Sequence, residues 1–308
     1  MQSAIHNRRL PFWQRLSDGL NSERGLGYTL VAPAVILLLG LIAYPFCLSI
    51  YLSLSDRLLA VESSGRFIGL GNFINLLDDS IFRQSVWNTF NYAFVTVLFK
   101  LVLGMLMALV LNEITFLKNF FRGMLLLPWI VPTSLSALGW LWLYDSQYSV
   151  FSWILLNLGL IQEKIIWLGS PVMAMLSIQL VNIWRGIPFF GISLLAGMQT
   201  ISQELYEAAE IDGANAWQRF WQVTWPLLMP VTLVVTLFSL VQTFADFQIV
   251  YVLTRGGPVN STHLFATLAH QTAILSGKLG EGAAISLFMF PMLAVAIILQ
   301  LRYLQQRD

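Results

Sequence analysis

The chain has 308 residues, 57% of them hydrophobic and only 11% charged, with a formal net charge of +1. A soluble domain carries about 25% charged residues, and a large soluble core does not account for uncharged runs of about 20 residues, each long enough to cross the hydrocarbon of a bilayer. The near-neutral balance shows no basic cluster and so no nucleic-acid partner, and the single cysteine, Cys47, excludes an intramolecular disulfide.

In chain order, residues 1–27 are polar and hold Arg8, Arg9, Arg15 and Arg24. They are predicted to form a cytoplasmic lead-in, with an amphipathic surface helix around Phe12, Trp13 and Leu16. A first span is predicted over 28–54, too long for a cleaved signal peptide and kinked by Pro33 or Pro45. A polar loop follows over 55–85. The second span is predicted over 86–111, interrupted by Lys100, and the third over 123–144. Between 145 and 170 the apolar piece 151–161 is too short to cross. It is expected at the outer interface, with Trp153 at the headgroups.

The fourth span is predicted over 171–199 with Arg185 and Pro188 inside it, and the fifth over 227–253 with Asp246 inside it. The segment 254–282 opens with the turn signal Arg255-Gly256-Gly257-Pro258 and is expected as an outer loop. The sixth span covers 283–301. The expected division is therefore a leader (1–27), a first helix with its outer loop (28–83), a membrane core (84–303) and a tail (304–308). Six spans put both termini on one side. That side would carry nine Lys and Arg against six on the other, which makes it the cytoplasmic one.

The polar gap 200–226 is the most informative stretch. Ser202 is a candidate helix N-cap, and Glu204 and Glu207 fall in the first turns, where carboxylates complement the helix dipole. Leu205, Ala208 and Ala209 share one face, and Gly213 ends or bends the helix. Trp217, Phe220, Trp221 and Trp225 mark a second segment returning to the interface. An amphipathic helix lying on lipid is one reading. Such helices favour Lys and Arg, however, and acidic side chains are repelled by an anionic inner leaflet. A basic groove on a partner protein suits this helix better.

Glu207-Ala208-Ala209, then Gly213, then Val223-Thr224-Trp225-Pro226 resembles the Glu-Ala-Ala (EAA) loop of the membrane subunits of ABC importers, with Trp225 in place of the usual Leu. Other stretches agree in order. They are Phe67-Ile68-Gly69-Leu70-Gly71-Asn72-Phe73, Leu127-Pro128-Trp129-Ile130-Val131-Pro132, Ile183-Trp184-Arg185-Gly186-Ile187-Pro188-Phe189 and Tyr251-Val252-Leu253-Thr254 before Gly256-Gly257-Pro258. Together they are similar to the binding-protein-dependent sugar importer permeases of the maltose and glycerol-phosphate type. Gln248 departs from the acidic residue many relatives carry.

The resemblance implies an all-α membrane protein with six transmembrane helices and the type I ABC importer permease fold, in a bacterial inner membrane. It implies that the chain forms half of a carbohydrate pathway, pairs with a second related permease, and couples to two copies of an ABC ATPase. The coupling residues it implies are Glu207, Ala208, Ala209, Asp212 and Gly213. An extracytoplasmic sugar-binding protein would deliver the solute, and ATP and Mg would bind only to the ATPase. No phosphate-cradling Gly-rich loop with a Lys occurs in this chain, since Gly277-Lys278 lacks the upstream glycine.

Mid-membrane charge costs roughly 2.5–3.5 kcal/mol on insertion scales, so Lys100, Arg185 and Asp246 should face protein or water. Arg185 and Asp246 fall at compatible depths and are expected to meet, either as a pair that locks the bundle or as groups lining the solute path. For Lys100 a position facing the partner permease is the alternative. Asn182, Trp184, Gln242 and Gln248 surround them in sequence and complete the candidate path, since sugar sites combine aromatic faces with amides and carboxylates. His263 and His270 lie seven apart in the outer loop and are expected as polar loop residues, not metal ligands. A self-contained secondary transporter or channel is the alternative, and it would need no docking helix. A membrane enzyme would need convergent His, Asp or Ser groups, and none stands out.

Overall fold

The computed structural model describes residues 23–114 and 116–305. The expected helix around Phe12, Trp13 and Leu16, the arginines Arg8, Arg9, Arg15 and Arg307, and the end of the tail lie outside the described residues. The chain divides into two compact units, Met1–Leu52 and Ser53–Asp308. Residues 53–83 fall within the larger unit.

In the first unit, α1 (Glu23–Leu38) runs through a π-helical turn, Leu39–Ala43, into α2 (Tyr44–Ser53). The expected proline irregularity is this π turn. Pro45 has no N–H to return to the preceding turn, and the Tyr44 amide bonds back to the Leu39 carbonyl, a five-residue reach that absorbs the missing donor.

The larger unit begins with a loop closed by polar contacts. Asn72 Nδ2 donates to the carbonyls of Ser53 and Ser55, both at 2.8 Å. A short amphipathic helix, α3 (Gly71–Asp78), leads to α4 (Ser80–Glu113), whose N-terminus is capped by Asp79 accepting from the Ile81 and Phe82 amides. The helix starts six residues before the predicted span because its first two turns carry polar residues that a hydropathy window rejects. α4 is the axis of the unit. Its Phe82 packs with Phe265 and Ile285, its Tyr92 with Trp140, Ile178 and Ile249, and its Val97 and Met105 with Phe190, Leu194 and Leu228.

The predicted third span is two helices, α5 (Lys118–Ile130) and α6 (Thr133–Leu143), bent by 86° at the break between them. Pro132 removes a backbone donor and forces Val131 out of helical geometry, to φ −60° and ψ 134°. The segment 145–170 holds α7 (Val150–Asn157), on which Trp153 is exposed. α8 (Pro171–Met198) matches the predicted fourth span within a residue. It lies tightly on α4: a Cβ at Gly104 would collide with Phe190, and one at Gly191 would sit 2.7 Å from the Met107 sulfur. Small residues let the two backbones approach, the usual basis of helix packing in lipid.

α9 (Gln203–Ile211) is the acidic helix of the polar gap. The returning segment is not separate from the fifth span. α10 (Ala216–Arg219), a π turn at Phe220–Thr224 and α11 (Trp225–Phe244) form one run of 29 residues. Pro226 lacks an N–H, and the Trp225 amide bonding back to Phe220 carries the helix across the gap. α11 stops at Phe244, well before the predicted end at 253, and α12 (Gln248–Leu253) follows a three-residue break. Asp246 therefore lies in a break between helices and not inside a span.

The expected outer loop is largely internal. Asn88 Nδ2 donates to the carbonyls of Ser261 and His263, and Thr89 Oγ1 accepts from the Phe265 amide. α13 (Phe265–His270) and a π turn, Gln271–Leu275, lead to α14 (Leu279–Gln305). Among the described residues four helices are long and apolar enough to cross a membrane, and the bent α5–α6 pair, taken as one broken span, counts as a fifth. At 1.5 Å per residue, the 27 residues of α14 extend roughly 40 Å, enough for the sixth.

Candidate functional site

A cavity of about 660 Å³ opens where α11 breaks. It is walled by Lys100 of α4, Trp129 and Thr133 of the bent pair, and Asn182, Arg185, Gly186 and Phe189 of α8. Phe238, Ser239, Gln242 and Thr243 of α11, the break residues Ala245–Phe247, and Gln248 and Ile249 of α12 complete it. Arg185 lies midway along a 28-residue helix, so the cavity sits deep in the bundle. Broken helices at such depth are tolerated where they line a cavity.

Asp246 shapes the break. Its Oδ1 accepts from the Ile249 amide at 3.3 Å and starts α12. Its Oδ2 accepts from the Tyr92 hydroxyl at 2.7 Å and from Asn182 Nδ2 at 2.8 Å. Both donors are buried, so the carboxylate ties α4, α8 and α12 together. The expected Arg185–Asp246 pair is not formed. Among the described residues no ion pair within 4.0 Å involves either one, and Arg185 Nε is buried with no hydrogen-bond partner.

Lys100 faces protein and the cavity, as a charge inside a span must. It is 4% exposed and turned into the cavity wall, and its Nζ donates to Thr243 Oγ1 at 3.0 Å. Its stem crosses Gly186 so closely that a Cβ there would sit 2.6 Å from the Lys100 Cδ and Cε. Gly186 is the gap through which the lysine reaches the cavity. The aromatic side of the cavity comes from Trp129 and Phe189, stacked at 5.7 Å with an interplanar angle of 18°, and Phe238 lies 5.3 Å from Phe189.

Of the six residues selected from sequence for the solute path, Asn182, Arg185, Gln242, Asp246 and Gln248 line this cavity. Trp184 does not. It faces away from the cavity, edge-on to Trp140 at 5.4 Å, beside a separate apolar cleft. Successive residues of a helix point about 100° apart, and here that step turns Trp184 toward Trp140 while Arg185 and Gly186 face the cavity. Tyr92, Trp129 and Thr243 were missed, and Lys100 is not among the six. Only Lys100 carried a signal, as a charge inside an apolar run.

The second candidate site is α9 and its hairpin. Ser202 Oγ accepts from the Glu204 amide, as the N-cap reading expects. At the other end Gly213 has φ +79°; its amide bonds to Glu210 O at 3.0 Å, and the Ala214 amide to Ala209 O at 2.9 Å. This is a Schellman ending, which favours glycine at that position. An Asn215–Gln218 capping box restarts the chain. Glu210 pairs with Arg219, and the Tyr206 hydroxyl meets Thr224 Oγ1 at 3.0 Å, so the hairpin is held at several points. Its outer surface is open: Glu207, Ala208, Asp212 and Gly213 are exposed, and Ile211 is 87% exposed. Ala209 is half-buried.

The histidines are not polar loop residues. His263 is 1% exposed, lies against the Gly256 backbone, and shares a 3.2 Å contact with Thr267 Oγ1 through Nδ1. Burial pushes its imidazole below the ordinary value. His270 packs against Phe247 and Tyr251. Among the described residues no group of three His, Cys, Asp or Glu side chains is placed to hold a metal.

A deep cavity at a helix break and a rigid, acidic, exposed helical hairpin define a transport subunit of the membrane. Residues 100–307 match the family described as the binding-protein-dependent transport system inner membrane component. The chain is 36% identical over 304 residues to the sulfoquinovosyl glycerol transport system permease of Agrobacterium fabrum, covering 99% of this chain and 97% of that one. It is 36% identical over 280 residues to the trehalose/maltose transport system permease of Thermococcus litoralis, covering 91% and 94%. The fold matches a permease chain of a bacterial ABC transporter involved in import of the acidic polysaccharide alginate, with a TM-score of 0.79 at 21% identity, covering 96% and 98%. This chain therefore belongs to the family of binding-protein-dependent ABC importer permeases. It is a multi-pass inner-membrane transport subunit and not an enzyme.

Proposed function

We propose that this permease forms half of the path for a carbohydrate or carbohydrate-like solute, with the cavity at the α11 break as its contact surface. The observation that carries the reading is the cavity itself. A stacked Trp129–Phe189 pair, the amides Asn182, Gln242 and Gln248 and the charges Lys100, Arg185 and Asp246 meet around about 660 Å³. Small-molecule sites are typically of this size and mix apolar walls with a few placed polar groups. Relatives named as sulfoquinovosyl glycerol and trehalose/maltose permeases support a sugar-like solute.

In this reading the core 84–303 pairs with a second, related permease chain. α9, with Glu207, Ala208, Ala209, Asp212 and Gly213, enters a groove on one of two ATPase copies, which bind ATP and Mg. An extracytoplasmic binding protein supplies the solute, and closure of the ATPases drives alternating access. Both termini and 200–226 are cytoplasmic. The test is uptake by proteoliposomes holding the complete importer, offered labelled sugars and polyols with and without ATP inside. ATP-dependent uptake of at least one carbohydrate is expected. Uptake independent of ATP, or of the ATPase subunit, would instead point to a self-contained transporter.

A further inference from the structure

We propose that the solute carries an anionic group (a carboxylate, sulfonate or phosphate) and that Arg185, assisted by Lys100, receives it. The proposal rests on the reading of the cavity as the solute path and names the chemistry of what passes through. The cavity holds two cations and one carboxylate. Both oxygens of that carboxylate are taken by neutral donors: the Tyr92 hydroxyl and Asn182 Nδ2 on one, the Ile249 amide on the other. Neither Lys100 nor Arg185 lies within 4.0 Å of an acidic oxygen among the described residues.

Lys100 donates only to Thr243 Oγ1, an oxygen that is itself spent donating to the Ser239 carbonyl. An ammonium has three donors, so two remain. Arg185 forms no hydrogen bond or ion pair among the described residues, and its Nε is shut away from solvent. A guanidinium offers five donors in a fork matched to a planar or tetrahedral oxyanion. Unpaired cations inside a membrane bundle are costly, and sugar hydroxyls solvate a cation without cancelling its charge. An oxyanion does both. The stacked Trp129–Phe189 pair and the Gln242 and Gln248 amides remain for the neutral part of the molecule.

The experiment uses proteoliposomes with the complete importer and a panel of mono- and disaccharides. Each sugar is presented neutral and bearing a carboxylate, a sulfonate or a phosphate, so that the arms separate the three anions. At least one anionic member is expected to enter about tenfold faster than its neutral parent. Arg185→Gln should cut that anionic-to-neutral ratio by about tenfold, the size of one charge-assisted contact, and Arg185→Lys should recover most of it. The binding protein is common to all preparations, so the change in ratio reports on the permease.

Faster entry of every neutral parent, or a ratio unmoved by both Arg185→Gln and Lys100→Met, overturns the assignment while leaving the carbohydrate reading intact. Import of no member of the panel overturns both. A second measurement needs no variant. The detergent-solubilised permease–ATPase complex, without binding protein, is titrated with the best anionic sugar and its neutral parent. A larger rise in Tm with the anion supports the proposal, and equal rises overturn it.

Discussion

At the scale of single residues, the cavity rests on how Asp246 is satisfied. A fully buried ion pair broken at one partner costs roughly 3–5 kcal/mol, because a charge is left stranded. Asp246 instead holds three neutral donors, and Arg185 is near enough to feel its charge but makes no ion pair with it within 4.0 Å. A double-mutant cycle with Arg185→Gln and Asp246→Ala should therefore show a coupling of less than about 1 kcal/mol. The single Asp246→Ala change should be the more destabilising, since it leaves the Tyr92 hydroxyl and Asn182 amide unpaired, at about 1–3 kcal/mol each. Melting of the solubilised permease checks both points. Recovery of stability in the double variant would show that the two residues pair in the membrane.

At the scale of elements, apolar runs in the sequence locate a helix well where a capping residue marks its start. Ser170 and Pro171 start α8 within a residue of expectation. Legibility fails where a proline or a half-buried carboxylate interrupts an apolar run. Pro132 turns one predicted span into two helices at 86°, and Asp246 ends α11 at Phe244, because hydropathy records what lipid tolerates and not where the backbone ladder breaks. The partners of Asp246 were not legible at all, since Tyr92 reads as one aromatic among many in α4. The α9 hairpin is the opposite case: N-cap, acidic face and terminal glycine were all readable from residue type and spacing. Its geometry separates backbone from contact at Gly213. No atom lies within 4 Å of a Cβ built there, yet φ is +79°. Gly213→Ala should therefore cost about 1 kcal/mol of backbone strain and leave some ATPase binding. Gly213→Leu should add a bulky group on the exposed surface and abolish both transport and ATPase copurification while insertion continues. Normal transport in Gly213→Leu would remove the coupling role from this hairpin.

At the scale of the molecule, orientation can be argued from the fold as well as from charge. Backbone bonds join Leu59 to Gly277 and Gly280 to Arg57, which puts the loop after the first helix and the start of α14 at one end. Asn88, near the start of α4, holds Ser261 and His263 at that same end. Each of α4, α8 and α14 starts there, so the α4–α5 connection, the α9 hairpin and the C-terminal turn of α14 fall at the other end. That end carries Lys118, Arg122, Arg219 and Arg302, and the first carries Arg57, Arg66, Arg83, Lys164, Arg255 and Lys278. Without the arginines of 1–27 and Arg307 the basic count is four against six, so the charge argument turns on the segment 1–27. The proposed coupling role supplies the stronger argument, since a helix that docks on a cytoplasmic ATPase must lie inside. Single-cysteine labelling decides the point. Cys47 is exposed and must first be replaced, as Cys47→Ser. In that background an impermeant maleimide applied to intact cells should label Val259→Cys, at a site 90% exposed, and should spare Ile211→Cys, at a site 87% exposed, until the membrane is opened. The reverse pattern would place α9 outside the cell and sever the link between this hairpin and any ATPase.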